Sequence, residues 1–149
     1  MKIWLKNPLS ILAENAEGGI LLEGTRIAEL VPSGKQPSAE YDSVFDAGSH
    51  VILPGLINLH HHFFQTLTRV YPQALNKKLF PWLKTLYPLW AGLTPEAVRM
   101  ATRLALAELL LSGCTTASDQ HYVFPAGLEK AIDLQVEEAN NLGIRVVLC

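Results

Sequence analysis

Between Met1 and Leu53 the apolar residues come in short runs, KIWL, GGILLEG, TRIAELVPSG and SVFDAGSHVILPG, broken by Gly, Pro, Ser and Asp. Short apolar or alternating runs with turn residues at their ends are the pattern of strands. They predict a small antiparallel β module over residues 1–53. From Pro54 the period lengthens. GLINLHHH (55–62) reads as a strand, and Thr94 then caps a helix, with Pro95 at its first position and Glu96 in its first turn. That helix is expected to run to Ser112 and stop at Gly113, with Val98, Ala101, Ala105 and Leu109 on the face turned to a sheet.

CTTASD (114–119) is expected as the next strand. AGLEKAIDLQVEEANNLG (126–143) follows as a helix with Leu128, Ile132, Gln135, Ala139 and Leu142 along one stripe, and IRVVLC (144–149) as a further strand. Strands alternating with helices predict βα units on a parallel sheet. The connection before Thr94 is longer than an ordinary turn and holds KKLFPWLKTLYPLW, which reads either as a lid over a site or as packing. Three such strands would leave an apolar edge, and a (β/α)8 barrel takes about 250 residues. The expectation is the front part of a larger protein.

Composition narrows the class. With 49% hydrophobic and 17% charged residues the chain has the balance of a soluble globular protein. Its net charge is -2 and its 12 Lys and Arg are scattered, which argues against a nucleic-acid partner. The apolar start KIWL is too short for a signal peptide, and Glu108 interrupts LALAELLLSG, so a cytoplasmic protein with no membrane span is expected. Cys114 and Cys149 have no CxxC spacing and are read as buried small hydrophobes.

Candidate chemistry sits at the end of the first parallel strand. His60 and His62 are two apart, so on a strand they share one face while His61 takes the other. Two imidazoles there can hold a divalent metal from one side, or form a polar cap without a ligand. The stretch PGLINLHHH resembles the Pro-Gly-hydrophobic-hydrophobic-Asn/Asp-x-His-x-His signature of the amidohydrolase superfamily. NLHHHFFQTLTR, the aromatic segment before Thr94 and GCTTASDQHYVFP are similar to the aminohydrolase branch that includes 8-oxoguanine deaminase and the hydroxyatrazine ethylaminohydrolase type.

That resemblance implies an α/β fold, an incomplete amino-terminal portion of a metal-dependent (β/α)8 TIM barrel at 54–149, preceded by part of a small β-sandwich at 1–53. It implies His60 and His62 as ligands of one divalent metal ion, zinc or else iron, and Gln65 and His121 as substrate contacts. Gln120 stands where branch members often carry a first of two adjacent histidines. The substrate implied is a small purine or triazine-like heterocycle, and the complete enzyme a homo-oligomer. The remaining ligands, a glutamate and an aspartate would come from later strands, so this chain alone is expected to bind zinc poorly and to lack deaminase activity. Trp82, Tyr87 and Trp90 are read as an aromatic wall or as core, His121 also as a plain loop histidine, and Asp119 as a structural cap for HYVFP. A half barrel serving as a non-catalytic interaction module is the alternative from a different class.

Overall fold

The structure, a computed structural model, describes residues 1–149, and the chain divides into two compact units, Met1–Pro54 and Gly55–Cys149. The first holds six strands: β1 (Lys2–Lys6), β2 (Ser10–Ile11), β3 (Gly19–Glu23), β4 (Arg26–Val31), β5 (Ser43–Asp46) and β6 (Val51–Ile52). β1, β3, β4 and β5 form a sheet in the order β4-β3-β1-β5, and β2 pairs separately with β6.

The expected all-antiparallel module is corrected here. β1 pairs antiparallel with β3 but parallel with β5, and β2 with β6 is also parallel. The reason is topological: the β3–β4 hairpin turns at Gly24, and the return to the free edge of β1 brings β5 in with the same direction. Trp4, Leu21 and Val31 are buried together, and Trp4 Nε1 donates to the Gly18 carbonyl at 3.1 Å. Gly19 is required at its position, because a Cβ there would lie 1.8 Å from the Leu5 carbonyl oxygen and its φ is +111°.

The second unit is a parallel sheet in the order β7-β8-β9, made of β7 (Leu56–His61), β8 (Cys114–Asp119) and β9 (Arg145–Leu148). Helix α2 (Pro95–Leu111) joins β7 to β8 and α3 (Ala131–Leu142) joins β8 to β9, the βαβ arrangement that the alternating periods predict. Thr94 Oγ1 accepts the Ala97 N–H at the start of α2, as its N-cap position requires. Val98, Ala101 and Ala105 are buried as expected, with Thr102 and Leu106 beside them. Phe63, Ala105, Leu106, Ala117, Ala139 and Ile144 form the core between helices and sheet.

Two details differ from expectation, the start of α3 and the exposure of Cys149. α3 begins at Ala131, because Gly127 sits at φ +85° and Leu128 donates to the Pro125 carbonyl, spending the first residues of that run on turns. Cys114 is buried, but Cys149 is exposed, one residue beyond the last pair of the β8–β9 ladder. The long connection is structured: 3-10 turns at Phe63–Thr68 and Pro72–Ala74 lead into α1 (Leu79–Trp90). Phe64, Ala74, Leu86, Trp90 and Val123 make a second core beneath it. Trp90 is fully buried, its Nε1 donating to Thr68 Oγ1 at 3.1 Å, so of the two readings of the aromatic segment Trp90 takes the packing one. Tyr87 is exposed and Trp82 half-buried.

Candidate functional site

β7 brings His60 and His61, with His62 directly after its end, to the carboxyl end of the sheet, the end where parallel α/β folds gather reacting groups. Asn58 Oδ1 accepts the His60 N–H at 3.0 Å, and the β7–β8 register shifts between Asn58 and His61. The His60 and His62 rings still meet each other, with centroids 5.0 Å apart and planes at 84°, whereas His61 packs on Phe63 at 5.1 Å. The division of faces follows the two-residue period of a strand.

The residues that follow β8 hold this strand end in place. His62 Nδ1 lies 2.7 Å from the Gln120 carbonyl oxygen. A carbonyl only accepts, so Nδ1 carries the proton and Nε2 keeps its lone pair for a metal, the arrangement usual for ligating histidines. The Gln120 N–H donates to the His61 carbonyl at 3.0 Å. Asp119, fully buried, accepts the Phe63 N–H on Oδ1 at 2.5 Å and the Gln135 amide on Oδ2 at 2.7 Å. Burial pushes its carboxyl up, and these two donors pull it partly back. Asp119 is thus a cap, but of the backbone immediately after His62 and not of HYVFP as expected, because its carboxylate faces the Phe63 N–H and the Gln135 amide.

Gln65 stands in the first 3-10 turn, and its Nε2 donates to the Tyr122 hydroxyl at 2.7 Å. His60, His61, His62, Gln65, Thr66 and Arg69 line a shallow cleft of about 260 Å³. Arg69 is held at its rim by two bonds to Glu108, at 2.7 and 2.8 Å. His61 has its pKa lowered by burial, and its Nδ1 has no hydrogen-bond partner. A larger groove of about 710 Å³ runs along α3 and β9, lined mainly by Ile132, Val136, Ile144 and Val146, and contains none of the candidate residues.

The structure therefore brings His60, His62 and Gln65 to one cleft and leaves His121 out of it. His121 is buried, with Nε2 donating to the Val123 carbonyl at 2.8 Å and its ring between Phe64 and Phe124. Burial also lowers its pKa. Tyr122, the residue beside it, is what reaches Gln65, and its ring stands edge-on to His62 at 5.1 Å. Sequence reasoning passed over Tyr122 and the Gln120 carbonyl; the only available signal was their place directly after a strand, in DQHY. No group of three or more His, Cys, Asp or Glu side chains is gathered to hold a metal. His60 and His62 fit two positions of a coordination sphere, since one is oriented by a backbone acceptor and both share a cleft.

The parallel βαβ sheet thus carries two histidines at the carboxyl end of its first strand, one of them oriented by a backbone carbonyl. Residues 51–149 match the amidohydrolase family, and the chain belongs to that family. It is 57% identical over 150 residues to 8-oxoguanine deaminase of Pseudomonas aeruginosa, covering 99% of this chain and 33% of that protein. Hydroxydechloroatrazine ethylaminohydrolase of a Pseudomonas species is 39% identical over 95 residues, 62% of this chain and 20% of that one. Among solved structures, atrazine chlorohydrolase from Arthrobacter aurescens complexed with zinc superposes with a TM-score of 0.82 at 28% identity, over 99% of this chain and 35% of that chain. The chain thus spans about a third of the length of the 8-oxoguanine deaminase and the atrazine chlorohydrolase.

Proposed function

We propose that the chain is the amino-terminal part of a metal-dependent aminohydrolase whose substrate is 8-oxoguanine, converted with water to urate and ammonia. The observation that carries this reading is the histidine pair with His62 Nδ1 fixed on the Gln120 carbonyl, in a chain 57% identical to an 8-oxoguanine deaminase across 99% of its length. The triazine-acting relatives stand at 39% and 28% identity, well below that deaminase.

In this proposal residues 54–149 begin a (β/α)8 barrel and residues 1–53 form part of a β-sandwich. His60 and His62 hold one divalent ion, zinc in preference to iron, as the zinc complex of the Arthrobacter relative supports. Such an ion supplies Lewis acidity that makes water nucleophilic near neutral pH. The chain's own part is to present two imidazole lone pairs and, through Gln65, to hold the edge of the flat ring. His121, buried behind Phe64, would act on the substrate only through its neighbours. The complete enzyme is proposed to be a cytoplasmic homo-oligomer.

The test is direct. The gene product that carries this sequence is purified as it occurs in cells, loaded with zinc, and offered 8-oxoguanine, guanine and an amino-substituted hydroxytriazine, with ammonia release measured. Turnover of 8-oxoguanine above the others is expected, and preference for the triazine would overturn the substrate while keeping the family.

A further inference from the structure

Gln65 Nε2 donates to the Tyr122 hydroxyl at 2.7 Å across 57 positions of sequence. A carboxamide is planar, so committing its nitrogen to one neighbour turns its oxygen the other way and decides which end a ligand meets. Tyr122 is 40% exposed, and the covered side of its ring is held by aromatic packing. Its ring stands edge-on to His62 at 5.1 Å, to Phe64 at 5.2 Å and to Trp90 at 6.2 Å. Phe64 and Trp90 belong to the fully buried core under α1. The hydroxyl therefore occupies a set place, and Gln65, half-buried on a short turn, takes its orientation from it.

We propose that Tyr122 is a positioning residue that orients the Gln65 amide so that Oε1 accepts an N–H from a lactam-type heterocycle. Guanine and 8-oxoguanine carry such an N–H next to a ring carbonyl, and adenine-type six-membered rings lack it. The inference rests on the function proposed above and deepens it: the Tyr122–Gln65 pair selects purines with a lactam N–H, such as guanine and 8-oxoguanine, over adenine-type purines. A buried or half-buried acceptor left without its donor discriminates far more strongly than apolar contact does.

Two measurements test it. The first is on the gene product that carries the sequence: the Gln65 side-chain amide is assigned by nuclear magnetic resonance from its loss in Gln65→Ala, and then followed in Tyr122→Phe. Phe keeps the ring that packs on His62 and Phe64, so the variant is expected to retain the fold, which the remaining spectrum reports. The Gln65 amide resonances are expected to move; if they stay put, Tyr122 does not hold the nitrogen and the proposal is overturned.

The second is kinetic, on the gene product that carries the sequence. Tyr122→Phe is expected to raise KM for 8-oxoguanine about tenfold while kcat changes less than about threefold. In a Gln65→Ala background Tyr122→Phe is expected to add nothing further, because it acts through the missing amide. Additive losses, or a fall in kcat at unchanged KM, would overturn the positioning role. If the wild-type enzyme leaves 8-oxoguanine untouched, the proposed function fails, and the resonance measurement still decides whether Tyr122 orients Gln65.

Discussion

Asp119 has no exposed surface, yet it joins three parts of the second unit: β8 that carries it, the Phe63 N–H that follows the histidines, and Gln135 on α3. Removing it leaves two buried donors without an acceptor, each worth about 1–3 kcal/mol in desolvation. Asp119→Ala is therefore expected to lower stability well beyond the cost of a surface substitution, read as the midpoint of urea unfolding. Asp119→Asn keeps the shape and one acceptor oxygen, and is expected to lose less. An Ala variant as stable as the wild type would show that the Phe63 backbone is held by something else. The histidine pair itself was legible, because residues two apart on a strand share a face. The orientation of His62 was not, since it depends on a backbone oxygen 58 positions away, and no side-chain pattern announces a carbonyl.

α2 and α3 are clamped by a charge that the helical pattern half discloses. Arg99 and Arg103 stand one turn apart on α2, as their spacing predicts, and both reach Glu138, whose side chain is 2% exposed. Hydrogen bonds from Arg103 first, then Arg99, hold the Glu138 carboxyl below its ordinary range against the opposing effect of burial. A carboxylate with a depressed folded pKa adds stability above its unfolded pKa, about 4.5, and that stability is lost as pH falls through the lower folded value. The wild type is thus expected to lose stability in acid more steeply than Glu138→Gln, with the two curves converging below the folded pKa. Glu137, which pairs with Arg99 at 2.5 Å but is 55% exposed, is the control: Glu137→Gln is expected to change little, because exposed pairs are screened. Parallel curves for wild type and Glu138→Gln would remove the clamp. Elsewhere the elements were readable where a cap marked them, as Thr94 did, and misread where a turn consumed residues of helical composition, as at Gly127. The direction of β5 beside β1 was hidden altogether, because strand direction is set by the path between strands and not by either strand's residues.

The chain presents two imidazoles in one cleft and no gathered third ligand, and it spans about a third of its closely matching relatives. Zinc sites that hold their ion firmly use at least three protein ligands, and structural sites with four reach about 10–16 kcal/mol of binding. Two ligands on one strand end contribute only a fraction of that, although His62 is already oriented by Gln120 and loses little freedom on binding. The 149-residue chain is therefore expected to bind zinc with a Kd weaker than about 1 μM, and to bind it more weakly still as His62→Ala or His60→Ala. Calorimetric titration with zinc measures this. Tight one-to-one binding that both histidine variants abolish would mean that the chain completes a coordination sphere by itself. The reading of His60 and His62 as one side of a larger barrel's metal centre would then give way to a self-sufficient site in this segment.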